Sequence, residues 1–119
     1  MLFQFGAGAN YFSSIHVPDA GRAVLAGLDL PAGTYNVCDD HPVTSAEYLR
    51  ILTTSMQAPK PFHLSGIFGK WMLGDAWKYF SRSQRVSNAR IKQVSDWRPA
   101  VKSVSEGWPL IASGLARHG

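Results

Sequence analysis

Residues 3–21, FQFGAGANYFSSIHVPDAG, decide how the chain is read, because Gly6 and Gly8, one residue apart, invite comparison with a phosphate-binding loop. A dinucleotide fingerprint needs G-x-G-x-x-G or G-x-G-x-x-A between a strand and a helix. Helix amides then meet the pyrophosphate, and a third small residue lets helix and strand approach. The third position here is Tyr11. Residues 10–17 are rich in aromatic and β-branched side chains and predict a strand, not the first turns of a helix. Gly6 and Gly8 are therefore read as a tight turn feeding a strand.

Working outward, Pro18 and Asp19 predict a helix start, with proline near the first helical position and a carboxylate at the positive end of the dipole. Ala20, Val24, Leu25 and Leu28 follow at helical spacing, and the helix should end before Pro31. Residues 34–38 then read as a second strand. Strand, helix and strand with short joins predict a βαβ unit with parallel strands and a right-handed crossover. Thr44-Ser-Ala-Glu47 has the pattern of a capping box. It opens a helix to about Met56 with Tyr48, Leu49, Leu52 and Met56 on one side. Pro59 and Pro61 break it. Residues 62–64 suit a short strand, and 67–80 a single amphipathic helix bearing Phe68, Trp71, Met72 and Trp77. Ser87 is placed to cap a short helix ending near Val94, Trp97-Arg98-Pro99 to turn the chain, and Ser103 to open a last helix through Leu115.

At 119 residues the chain suffices for one compact domain, 1–119, and not for two. With 45% hydrophobic residues, including six Phe, four Tyr and four Trp, it can fill a core, which argues against disorder. No apolar run approaches the roughly 18–20 residues of a membrane span, and no basic stretch followed by an apolar one opens the sequence. A cytoplasmic location and no membrane partner are expected. Cys38 is the one cysteine and fits a reducing compartment. The net charge of +4 is unevenly divided: residues 1–59 carry Arg22 and Arg50 against five acids, and residues 60–119 carry ten basic side chains against three. Such a basic half suits nucleic acid, a phosphorylated ligand or an acidic neighbouring surface.

Cys38-Asp-Asp-His41 gathers four side chains of metal-ligand type. Adjacent residues leaving a strand point to opposite sides, and no second C-x-x-C or H-x-x-x-H completes a tetrahedral site. The four are read as a polar loop with Cys38 as buried filler, and no metal is expected. His16, inside the predicted strand, is read as a satisfied core histidine in preference to a catalytic base. There is no G-x-S-x-G elbow, and the serines sit at turns and helix starts, where they cap. Residues 70–85 interleave basic and aromatic side chains in the manner of a stacking platform for single-stranded nucleic acid. The helical spacing of the aromatics favours instead a core-facing helix with a solvated cationic face. A basic module binding nucleic acid or a phosphorylated partner is kept as the alternative.

Ile15-His-Val-Pro-Asp19 after a glycine turn, the strand, helix and strand to Tyr35-Asn-Val37, and the capped helix at Thr44 are followed by Arg85-Val-Ser-Asn-Ala-Arg90, then by Trp97-Arg-Pro99 and Ser-Val-Ser-Glu-Gly107. This order resembles the C-terminal part of an NAD-dependent epimerase/dehydratase, of the extended short-chain dehydrogenase/reductase family, over nearly the whole chain. The resemblance implies an α/β fold, a fragment of the Rossmann type, in which a βαβ unit is followed by a mainly helical substrate-binding lobe. Members are similar in having an N-terminal dinucleotide-binding part with a glycine-rich loop and a Tyr-x-x-x-Lys pair. The tyrosine acts as acid/base while the nicotinamide of NAD or NADP carries hydride. Neither motif occurs here: four residues after Tyr11, Tyr35, Tyr48 and Tyr79 stand Ile15, Asp39, Leu52 and Ser83. The resemblance thus implies a substrate-binding portion without the dinucleotide-binding part. Alone it would be inactive, with no catalytic residue, no metal and no NAD or NADP bound. Its partners would be a small-molecule substrate in the complete enzyme, the missing Rossmann half or a second copy.

Nucleotide-sugar members commonly place an arginine three residues before Ile-His-Val and carry a later Arg-x-Gly-Asp that grips the diphosphate. Phe12 stands at the first position and no Arg-x-Gly-Asp precedes Ser87, which counts against a nucleotide sugar. By the resemblance, substrate contacts are expected at Asn10, Phe12 and Ser13 and along 82–85, where Arg82 and Arg85 suit an anionic group. Asp19 is read as helix-start electrostatics.

Overall fold

The structure is a computed structural model and describes residues 3–118. Two short ladders frame it. Strand β1, Phe3–Phe5, lies parallel to β4, Phe62–Leu64, with Gln4 opposite His63, and the Gly6 amide continues the ladder to the Leu64 carbonyl at 2.9 Å. Strand β2, Tyr11–Phe12, runs antiparallel to β3, Val43–Thr44. The helices are α1, Val17–Gly27; α2, Ser45–Ser55; α3, Gly66–Leu73; α4, Trp77–Phe80; α5, Ala89–Val94; and α6, Val104–His118. The class is α/β, as the sequence predicts. No helix among the described residues is long and apolar enough to cross a membrane.

Short polar side chains set the helix starts by accepting amides that have no partner within the helix. Thr44 Oγ1 accepts from the Glu47 amide at 3.3 Å, Ser65 Oγ from Phe68 at 3.2 Å, and Ser87 Oγ from Ala89 at 3.2 Å. His16 stands immediately before α1 and its carbonyl accepts the amides of Asp19 and Ala20. It therefore ends an extended segment and opens a helix, where the sequence reading places it inside a strand.

Two expected strands are curtailed. Of residues 10–17 only Tyr11 and Phe12 enter a ladder, and 34–38 is extended without one, so the expected parallel pairing around α1 is not formed among the described residues. Residue type favours extension, but a strand also needs a neighbour to take its backbone groups. The two segments are tied where the Asp39 amide donates to the Ser14 carbonyl at 2.7 Å. Their side chains pack as a βαβ unit should: Ile15, Tyr35 and Val37 close over a core of Ala23, Ile91 and Trp97. A second core joins α2 to α6 through Val43, Ile51 and Val104, flanked by Tyr48 and Trp108.

The single helix expected over 67–80 is divided. Gly74 adopts φ +55° and ends α3, and residues 74–76 make a turn of 3-10 helix before α4. Glycine takes this left-handed conformation without a Cβ penalty. The aromatic face does not turn into a core either: Trp71 is 80% and Tyr79 77% exposed, and Phe68 is exposed beside Trp71. Helical spacing decides which side chains share a face, not whether anything covers it. The outer face of α1 is likewise open, with Val17, Val24, Leu25 and Leu28 exposed. The molecule is a slab of 46 × 37 × 18 Å with a radius of gyration of 16.4 Å. A compact domain of this length would have a radius of about 13.5 Å.

Candidate functional site

The glycine turn and α2 are built as one piece. Gly6 and Gly8 both have φ +67°, and a Cβ on Gly8 would stand 2.6 Å from Gln4 Nε2 and 2.7 Å from the Ala46 Cβ. Glycine is required there both by conformation and by the close approach of the helix. The Gly8 carbonyl accepts the Ala46 amide at 3.1 Å and the Asn10 carbonyl accepts the Ser45 amide at 2.8 Å, while Thr44 takes Glu47. The first amides of α2 are thus satisfied by the chain itself, and the helix end offers no open anion cradle.

Beside this junction lies a cleft of about 460 Å³. Its walls are the glycine turn, Phe12, Tyr48 and Leu49 of α2, and Trp77 and Ser81. Its polar rim includes Gln4, Asn10 and Ser45, whose hydroxyl donates to Asn10 Oδ1 at 2.7 Å. A largely apolar cleft with a few convergent polar groups is the usual form of a small-molecule site.

The residues singled out from sequence are divided between the two sides of β2. Asn10 and Phe12 line the cleft. Ser13 instead holds the segment 84–86: its hydroxyl donates to the Gln84 carbonyl at 3.2 Å and accepts the Val86 amide at 2.9 Å. Tyr11 adds a bond from its amide to Ser83 Oγ at 3.0 Å, and the Arg85 guanidinium lies 4.8 Å from the centre of the Tyr11 ring. Arg82 is exposed on the same segment. Tyr48, Leu49 and Trp77 were legible only as apolar positions at helical spacing; that they meet in one wall depends on how α2 and α4 are placed.

A second cavity, of about 320 Å³, lies across Tyr48 from the cleft. Tyr48 lines both, its ring 5.9 Å from Phe12 on one side and edge-to-face with Trp108 at 6.0 Å on the other. This second space is bounded by Ser14, Ile15, His16, Asp39 and residues of α6.

The side chains of 38–41 each have a partner or face solvent separately. Cys38 is buried and its thiol donates to the Val86 carbonyl at 3.3 Å; burial, then Asp39 and Asp40, push its pKa up. Asp40 pairs with Lys92 and accepts from Asn88 Nδ2 at 2.8 Å; burial opposes its ionisation, but these two donors hold it below the usual carboxylate range. Asp39 is 5% exposed and burial raises its pKa, only partly offset by the His41 amide at 3.2 Å and the Ser14 hydroxyl at 3.4 Å. His41 is exposed.

No protein-family model matches the sequence, and no curated protein does either. Solved structures do. Over 96% of this chain the fold superposes on a functionally unknown conserved protein from Silicibacter pomeroyi with a TM-score of 0.82 at 24% identity, covering 42% of that chain. It superposes equally on a human epimerase family protein solved with NADPH, with a TM-score of 0.83 at 17% identity and 39% of that chain covered. The fold matches part of the fold of extended short-chain dehydrogenase/reductase structures. A third such structure, UDP-glucose 4-epimerase from Thermotoga maritima with UDP-glucose, gives a TM-score of 0.75 at 19% identity over 98% of this chain and 35% of the other. The chain therefore spans about two fifths of the first two structures. At Gly8 the space a Cβ would take is held by Gln4 and Ala46, whereas nothing lies near Gly6, and the carbonyls of Gly8 and Asn10 hold the first α2 amides.

Proposed function

We propose that this chain is the substrate-binding C-terminal part of an NAD(P)-dependent epimerase, dehydratase or reductase, and that the 460 Å³ cleft is the substrate side of the active site. The observation that carries this reading is the cleft itself, apolar with Asn10 and Ser45 at its rim, in a chain folded like two fifths of such enzymes. Phe12, Tyr48 and Trp77 give it flat walls, and Asn10 gives it a group able to orient a hydroxyl or carbonyl. Arg82, exposed and next in sequence to the cleft residue Ser81, would serve an anionic portion of the substrate, while Arg85 is held on the Tyr11 ring. Cofactor and acid/base chemistry belong to a dinucleotide-binding part that docks on this one. The open apolar face of α1 and the flattened shape support that docking. A cytoplasmic location goes with this reading.

The chain alone is then inactive and binds no cofactor. Calorimetric titration of NAD, NADH, NADP and NADPH into the chain, shown to be folded by its circular-dichroism melt, should give no binding heat. Micromolar binding of any of the four would overturn the reading and return the glycine turn to consideration as a nucleotide site.

The exposed pair Phe68 and Trp71, with Lys70 beside it, favours a second reading as a module for single-stranded nucleic acid. Several cations of the basic half are engaged within the chain, however: Lys92 with Asp40, Arg85 on Tyr11, Arg90 on Tyr35, and Arg98 on the carbonyls of Lys92 and Ser95. Binding to an oligonucleotide that weakens steeply with salt and is lost in Trp71→Ala would support this second reading over the first.

A further inference from the structure

The cavity across Tyr48 holds a buried carboxylate without a cation. Asp39 is the one acidic side chain on its wall, with no Lys or Arg there, in a protein of net charge +4. Among the described residues Asp39 forms no ion pair with a Lys or Arg; its donors are the His41 amide and the Ser14 hydroxyl, both neutral and both long. The neighbouring Asp40 is neutralised by Lys92, which leaves that ammonium engaged elsewhere. The remaining basic groups near it are imidazoles, His41 across the turn and His16 on the cavity wall. A carboxylate accepts about four hydrogen bonds, so Asp39 has capacity left after these two donors. Buried carboxylates are ordinarily paired, and one that is not invites a cation from outside.

The rest of the wall is hydrocarbon and aromatic. Ile15, Val101, Val104 and Ile111 surround the rings of Tyr48 and Trp108, whose edge-to-face contact leaves ring surface towards the cavity. Aromatic faces attract cations in addition to apolar groups. The volume, about 320 Å³, is at the small end of ligand sites.

We propose that this cavity binds a compact apolar amine, its hydrocarbon body against Trp108 and Tyr48 and its ammonium or amidinium head on the Asp39 carboxylate. Burial without a cationic partner raises the Asp39 pKa, and the bound head reverses that by supplying the charge the site lacks. The site is separate from the proposed substrate cleft, with Tyr48 as the dividing wall.

The test is an NMR titration of the full chain with benzylamine, read at the Trp108 indole N–H and the Asp39 amide, beside benzyl alcohol as the neutral isostere. Saturable shifts at both groups are expected with benzylamine. Affinity should be weaker by about tenfold or more for benzyl alcohol, and for benzylamine in Asp39→Asn, as one charge-assisted hydrogen bond implies. Trp71→Ala, exposed and lining neither cavity, should leave benzylamine binding unchanged. Equal affinity for the two probes, unchanged affinity in Asp39→Asn, or no saturable shift at Trp108 would each overturn the proposal. The Asp39→Asn variant keeps a side-chain oxygen to accept the His41 amide; should it fail to fold, the comparison of the two probes on the parent chain decides alone.

Discussion

The carboxylate of Asp19, 1% exposed, accepts the backbone amide of Val101 at 2.9 Å across 82 residues of sequence. The same carboxylate takes the Ala100 amide at 3.0 Å and pairs with Arg22, and the Asp19 carbonyl accepts the Trp97 indole N–H at 3.1 Å. Its position in the first turn of α1 accounts for the sequence reading, but its main work is to fasten the 97–101 turn onto that helix. This fastening, together with the packing of α6 on α2 and the Asp40 amide on the Lys102 carbonyl, places α6 and its share of the second cavity.

Removing the acceptor should therefore cost more than a helix-start charge does. Asp19→Ala leaves the buried Val101 amide and the part-buried Ala100 amide without this acceptor and is expected to lower unfolding free energy by about 2 kcal/mol, with Asp19→Asn costing less because one oxygen still accepts. Urea denaturation measures both. A loss within a few tenths of a kcal/mol for Asp19→Ala would show that the turn is held by other contacts.

The two buried acids should bend the pH profile of stability in opposite senses. Burial acts to raise the Asp19 pKa, but the donors Val101, Arg22 and Ala100 outweigh it and hold it below 3.8. Its contribution is fully present above 3.8 and is lost as pH falls through the lower folded value. Asp39 is raised above 3.8 by burial, so its contribution is fully present below 3.8 and is lost as pH rises through the folded value. Denaturation midpoints across pH should show Asp19→Asn flattening the acid side and Asp39→Asn flattening the decline above it. Parallel profiles for parent and variants would refute the assignment.

Gly6 and Gly8 share φ +67° but not surroundings, since nothing lies near a Cβ on Gly6. Gly6→Ala should cost only the left-handed conformation, about 1 kcal/mol, whereas Gly8→Ala adds a clash with Gln4 and Ala46 for a total of about 3 kcal/mol. Equal losses in a denaturant series would mean that α2 shifts to accommodate the methyl group.

Ser13→Ala removes the bonds to Gln84 and Val86 from one side chain. Hydrogen exchange at the Val86 amide should accelerate while exchange in α2 stays as in the parent, with a global cost of about 1 kcal/mol. Unchanged exchange at Val86 would show that the segment is held by its other contacts.

The open face of α1 should make the isolated chain self-associate as its concentration rises. Leu25→Glu with Leu28→Glu, both on exposed positions, should shift size-exclusion elution towards the monomer without lowering the melting temperature. A parent chain that elutes as a monomer at every concentration would remove the reason to assign this face a partner.

Local signals carried the helix boundaries. Thr44, Pro18, Ser87 and Ser103 mark starts that the structure keeps within a residue or two, because a cap depends on groups a few positions away. Non-local outcomes were out of reach: whether 34–38 finds a neighbouring strand, whether Trp71 is covered, and that Tyr48 separates two cavities are settled by contacts distant in sequence. Asn10 and Phe12 were legible as one face of an extended segment, and both line the cleft. Alternation also explains why Ser13 does not join them. Trp77 joins the cleft because Gly74 bends the chain, and nothing in the spacing of its neighbours announces a bend at that glycine.

The carbonyls of Gly8 and Asn10 that receive the first amides of α2 also make the turn the anchor of that helix. Tyr48 and Leu49 ride one turn further along, so the turn and the partition between the two chambers belong to one hydrogen-bonded piece. The pair of glycines that looks like a cup for phosphate is here the seat of the helix that carries Tyr48, and with it the wall between the two chambers.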